Sequence, residues 1–304
     1  MPDRALKAHR ARGYAAALGA FLIWGLTPIY FKAVAAVPPL ELVAHRVAWS
    51  VPFLAVVVTA GRGWPAVGQA LARPRTMAIL GVTTLIIAGN WFLFTWAITS
   101  GRIVEASLGY FLGPLASIAL ALVFLGERLD RRRTIALLLA GAAVLYEAAR
   151  VSEGPSAALL LGASFAVYAL IRKRIAVDSV TGLLIETLYL LPVALGYLLW
   201  VGNGSLGSLG TGGPGFDLLL LVGGTITTTP LLLFTIGARR LDLTTIGFLQ
   251  YIAPSISFLL GVLVYGESFG WERAVTFAAI WGAILLANLP ARARPAPSRR
   301  SRPA

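Results

Sequence analysis

The sequence predicts an all-α, polytopic membrane protein: ten transmembrane helices arranged as two inverted five-helix repeats. Three observations carry that prediction. Of 304 residues, 58% are hydrophobic and only 13% charged, a ratio too apolar for a soluble protein with a core and a surface. Ten stretches approach or exceed the ~20 apolar residues that cross a bilayer as a helix, each closed off by charge or by Gly and Pro. A shift of 140 residues lays one half of the chain on the other without a gap.

The elements follow in order. Span one, 14–37, comes after the basic stretch RALKAHRAR, and its apolar run exceeds the roughly 7 to 15 residues of a secretory signal, so it is retained. Span two, 41–60, ends at the basic segment GRGWPAVGQALARPR (61–75). Span three, 76–98, stops before Arg102, and span four, 103–125, before GERLDRRR (126–133). Span five, 132–149, closes the first half at Arg150. Span six, 155–171, ends on Arg172, Lys173 and Arg174; span seven, 180–200, leads into the uncharged GNGSLGSLGTGGPGF (202–216). Span eight, 217–237, stops at Arg239 and Arg240; span nine, 243–264, precedes GESFGWER (266–273); span ten is 271–290. The resulting map is a cytoplasmic tail (1–13), a first repeat (14–149), a second, inverted repeat (155–290) and a Pro- and Arg-rich disordered tail (291–304).

The repeat is visible in ASLGYFLGPLASIALALVFLGE (106–127) and IGFLQYIAPSISFLLGVLVYGE (246–267), where Pro114 meets Pro254 and Gly126-Glu127 meets Gly266-Glu267. The same shift puts Arg46, Trp49 and Pro52 on Glu186, Tyr189 and Pro192. Five spans per half is an odd number, so the second half enters the membrane from the opposite side. The loops agree, because 61–75 is basic whereas its counterpart 202–216 is uncharged. Such halves can exchange conformations and expose a site between them first to one side and then to the other, the basis of alternating access in secondary transporters.

A net charge of +13 raises nucleic acid as a partner, but its distribution removes the need. With the N-terminus in the cytoplasm, 21 of the 26 basic residues fall on the cytoplasmic side, which is the positive-inside bias, and both termini are then cytoplasmic. The chain has no cysteine, which excludes disulfides and thiolate metal sites. Gly202 to Gly207 matches G-x-G-x-x-G formally but follows a span rather than a strand; GASFA (162–166) lacks the last glycine of a nucleophile elbow, and neither H-E-x-x-H nor a Walker A loop occurs. No enzyme activity, cofactor or metal is expected. Any driving energy comes from a gradient, with protons as a candidate coupling ion.

Ionisable and polar residues inside the spans are the candidate substrate or coupling groups. Lys32, His45, Arg46 and Glu105 fall in the outer part of the membrane and Glu186 in the inner part. Arg46 stays charged and needs company, for which Glu105 is a candidate; snorkelling to the headgroups is the plainer account for Lys32. Glu186 is too short to snorkel and is expected to pair with Arg172 or Lys173, to take up a proton, or to meet water. Trp24, Asn90, Trp91, Trp96, Tyr110, Tyr168, Gln250 and Tyr251 form an expected cavity lining near mid-depth, each alone equally suited to packing. Gly109, Gly113, Ser117 and Ala121 make a smooth face for close helix packing, and Pro28, Pro52, Pro114, Pro192, Pro230 and Pro254 are expected to kink their helices.

The blocks FLIWGLTPIYFKAV, LELVAHRVAWSVPFL, NWFLFTWAI, ASLGYFLGPL and GLLIETLYLLPVA together resemble the RarD branch of the EamA family, in the drug/metabolite transporter superfamily. The resemblance spans all but the two tails. It implies ten spans in two inverted repeats, a bacterial inner-membrane location and movement of a small organic solute; it supplies no substrate contacts. A homodimer is a candidate assembly, and the alternative to a carrier is a structural or lipid-handling protein such as a scramblase.

Overall fold

The computed structural model describes residues 2–99, 103–149, 156–266 and 270–288. Among them the secondary structure is helical throughout, with no strand. In chain order the helices are α1 (Pro2–Ala33), α2 (Pro39–Ala60), α3 (Trp64–Leu71), α4 (Pro74–Thr99), α5 (Ile103–Phe124), α6 (Arg131–Ala148), α7 (Ser156–Arg174), α8 (Ser179–Val201), α9 (Pro214–Arg240), α10 (Leu243–Gln250), α11 (Ile252–Leu263) and α12 (Trp271–Asn288).

Among the described residues, seven stretches are by themselves long and apolar enough to cross a membrane: α2, α7, α8, α9, the combined α10 and α11, most of α1 from Leu6, and α4 up to Phe94. The apolar runs of α5 (Gly109–Phe124) and α12 (Ala274–Ala287) are shorter, and α6 opens on three consecutive arginines. Large aliphatic side chains such as Val123, Val193, Leu263 and Leu285 stand 69 to 75% exposed. Water penalises so much exposed apolar area, whereas lipid does not, so the outer surface is that of a multi-pass membrane protein.

Inside, helices approach through small residues, as lipid-embedded bundles require when no hydrophobic force separates core from solvent. The face expected on α5 works in this way. A Cβ at Gly162 of α7 would lie 2.8 Å from the Gly113 nitrogen, and one at Gly109 would lie 2.9 Å from the Leu161 Cβ. On α9, Gly224 admits the backbone of Trp49 and Ser50 from α2. Helices α6 and α12 meet through Ala136, Ala140, Ala143, Ile280, Ala283 and Ala287.

Two details differ from the sequence expectation. Segment 61–75 contains the short helix α3, because Pro65 sits in its first turn and Val67 and Ala70, three apart, bury one face against α4 and α8. Span nine is two helices broken at Tyr251. Pro254 has no N–H for the carbonyl of Gln250, and its ring crowds that carbonyl, which ends α10 there. Pro28, Pro52, Pro114, Pro192 and Pro230 sit within helices that continue past them.

Candidate functional site

Helices α2 and α8 pack together; α8 buries Glu186, while α2 buries Glu41 and half-buries Arg46. On α8, Glu186 is 2% exposed. It accepts hydrogen bonds from the Thr83 hydroxyl of α4 (2.6 Å) and the Tyr168 hydroxyl of α7 (3.2 Å). The Arg172 Nε lies 3.7 Å from its Oε1. Arg172 is 1% exposed, donates through Nη2 to the Ser179 carbonyl at 3.2 Å, and occupies the space that a side chain at Gly182 would fill. Its Nε and Nη1 have no hydrogen-bond partner. Of the two cations expected beside Glu186, Arg172 takes the place, while Lys173 turns to the carbonyls of Ala238 (2.8 Å) and Leu241.

On α2, Arg46 is half-buried and its Nε donates to the Thr227 hydroxyl of α9 at 2.6 Å. Its guanidinium carbon lies 5.3 Å from the Phe31 ring centre and 5.8 Å from that of Trp91. The Glu105 side chain, expected as its partner, lies outside the described residues. Next to Arg46, Ser50 donates to the Arg46 carbonyl (2.6 Å) and to Gly224 (3.1 Å) and accepts from Thr228 (2.6 Å). Glu186 and the Arg46 partner Thr227 both line a narrow cavity, together with Ser50, Trp91, Tyr168 and Thr228. It has room for about one or two waters and none for an organic solute.

The remaining expected residues are placed as follows. Trp24 belongs to an aromatic cluster with Phe21, Phe165 and Phe234, at ring separations of 5.7 to 5.8 Å. Asn90 donates to the Leu161 carbonyl (2.9 Å) and the Ser164 hydroxyl (2.8 Å), tying α4 to α7. Gln250 donates to Ser117 (3.3 Å) and Tyr251 to the Phe111 carbonyl (3.2 Å), tying the α10–α11 break to α5. His45 is the middle rung of a ladder on α2: Trp49 donates to its Nδ1 at 3.3 Å, and its Nε2 faces Glu41 at 3.7 Å. Glu41 in turn accepts from the Ser208 backbone of the segment before α9. Lys32 is exposed, with Nζ 3.5 Å above the Tyr265 ring. Tyr110 is 55% exposed and meets Phe94 edge-on at 5.7 Å.

The structure therefore brings Tyr168 and Glu186 together at one cavity, whose wall Arg46 reaches through its bond to Thr227. Thr83, Ser50, Thr227, Thr228 and Gly182 are additions that sequence reasoning missed. The threonine-rich run GGTITTTP (223–230) inside an apolar span was the available signal, since hydroxyls there need partners.

A multi-pass helical bundle with charged and hydroxyl groups buried around an internal cavity has the architecture of a membrane transporter. Residues 11–146 match the EamA-like transporter family. The chain belongs to that family and is similar to RarD proteins. It is 44% identical over 275 residues to Protein RarD of Escherichia coli (strain K12), covering 90% of this chain and 93% of that one. An uncharacterized transporter of Vibrio cholerae serotype O1 is likewise 44% identical over 275 residues, covering 90% and 91% of the two chains. A solved crystal structure shares the fold, with a TM-score of 0.72, 23% identity and coverage of 94% of this chain and 100% of the other.

Proposed function

We propose that the protein is a secondary carrier of a small organic molecule in the bacterial inner membrane, working by alternating access of two inverted five-helix repeats, with both termini cytoplasmic. One observation carries this reading: the principal helix contacts recur when the halves are exchanged. Under the 140-residue shift α1, α2, α4, α5 and α6 become α7, α8, α9, the α10–α11 pair and α12. The contact of α1 with α9 then becomes that of α7 with α4, α1 with α11 becomes α7 with α5, and α2 with α9 becomes α8 with α4. The pairs α2 with α8, α5 with α10, and α6 with α12 map onto themselves. Gly126 and Gly266, 140 residues apart, also share a left-handed backbone, with φ of 63° and 66°. Two related halves around one axis are what exchange of inward and outward states requires.

Glu186 is the coupling group in this reading. A carboxylate among Thr83, Tyr168 and Arg172 at the wall of the cavity can take up a proton, which releases the pull of Arg172 and alters the packing of α7 on α8. The test is substrate counterflow with purified protein in liposomes. Glu186→Gln is expected to retain exchange of labelled solute and to lose accumulation driven by a pH gradient. Lipid transbilayer movement without solute flux replaces the carrier reading by the lipid-handling one. A pH-driven response that survives in Glu186→Gln removes Glu186 from coupling.

A further inference from the structure

We propose that Arg46 is the anion-recognition group of this carrier and that its solute is a monocarboxylate with an apolar body; the inference rests on the carrier reading above. The two arginines beside the cavity are treated unequally. Arg172 is matched by Glu186, so that charge is balanced within the protein. Arg46 spends its Nε on the neutral Thr227 hydroxyl and, among the described residues, has no carboxylate within ion-pair distance. The Phe31 and Trp91 rings offset its charge only in part. A permanent cation in hydrocarbon thus keeps its terminal nitrogens for something that comes from outside.

A second orphan points to the same place. Tyr30 is 7% exposed, and its hydroxyl has no hydrogen-bond partner. A side chain at Gly223 of α9 would run into that hydroxyl and lie 3.4 Å from the Arg46 Cγ, so the missing Cβ lets both groups approach the same point of α9. Tyr30 and Tyr110 both lie within electrostatic range of the guanidinium. A planar fork of N–H donors with a phenolic O–H beside it suits a carboxylate, which accepts through both oxygens. A single unbalanced positive charge suits a monoanion, and the flanking rings suit an apolar remainder.

The test uses full-length protein in phosphatidylcholine nanodiscs, titrated calorimetrically with hexanoate, phenylacetate and 3-phenylpropionate and with the corresponding amides. At least one acid is expected to bind about tenfold or more tighter than its amide. Arg46→Gln is expected to abolish that preference. Tyr30→Phe, which deletes only the unpartnered hydroxyl, is expected to weaken acid binding severalfold without lowering the unfolding temperature. Equal binding of acid and amide, no acid binding up to millimolar concentration, a preference that survives in Arg46→Gln, or undiminished acid binding in Tyr30→Phe overturns the proposal; Tyr30→Phe keeps it testable if Arg46→Gln does not fold. Binding lost in phosphatidylglycerol nanodiscs assigns Arg46 to a lipid phosphate and also overturns it. Counterflow that treats acid and amide alike leaves the carrier standing without this inference, and Arg46-dependent binding without counterflow does the reverse.

Discussion

At the scale of single residues, the Glu186 cluster shows how a charge becomes tolerable inside the bundle. The Glu186 carboxylate accepts from two hydroxyls and lies beside a guanidinium, yet Arg172 keeps two nitrogens without hydrogen bonds, so the pair is incompletely satisfied. Removing one member of such a pair strands the other, which is costlier than removing both. Gly182 controls the arrangement, because the guanidinium occupies the position of its absent side chain. Gly182→Ala is therefore expected to lower stability by about 1–3 kcal/mol, read as a fall in unfolding temperature in detergent. In an Arg172→Met background the same substitution should cost much less, since a flexible thioether yields. Strictly additive effects in the double variant would show that Gly182 and Arg172 do not compete for space. Glu186 and Arg46 were legible in the sequence because charge stands out in an apolar run. Gly182 was not: a glycine in a leucine-rich span has no mark until the arginine that fills its place comes from another helix.

At the scale of elements, apolar spans were legible because lipid demands long apolar helices, and among the described residues seven stretches are helices long and apolar enough to cross a membrane. The break at Tyr251 was partly legible, since Pro254 announced a kink but its equivalent Pro114 lies in the uninterrupted α5. Proline alone does not decide; the partners that satisfy the freed carbonyl do. What no local pattern revealed is the stapling of helix ends near residues 124–133, 172–178 and 238–245. There Glu127 caps α10, accepting from Leu243 (2.7 Å) and Thr244 (2.9 Å). Lys173 binds Ala238 and Leu241, Arg174 binds Phe124, and Arg239 binds Ile175 and Val177. Basic side chains on C-terminal carbonyls also complement the helix dipoles. The contacts of Glu127 and Arg174 join the two halves at one end, and those of Lys173 and Arg239 fasten the end of α7 and the turn after it to α9 within the second half. Because the chain has no cysteine, a probe is easily installed. A Thr187→Cys label site on the cavity wall is expected to react severalfold faster with a thiol reagent applied from that end once Lys173→Ala is added. An unchanged rate would mean that the staples are not the barrier.

At the scale of the whole molecule, the exchange symmetry and the charge distribution make separate demands that must agree. The helix pairings relate the halves without saying which way each faces the membrane. The five-span count inverts them, and the basic residues then choose which side is cytoplasmic. If all three hold, segment 61–75 and its counterpart 202–216 lie on opposite faces of the bilayer, although the shift aligns them. Gly68 and Gly215 are suited to the measurement, since a Cβ at either meets nothing within 4 Å. Gly68→Cys is expected to be labelled by a membrane-impermeant maleimide only after the cells are opened, and Gly215→Cys in intact cells. Labelling of both from the same face would contradict the inversion. Alternating access by exchange of the two halves would then lose its geometric basis, whatever the solute, because halves that face the same way cannot swap an inward opening for an outward one.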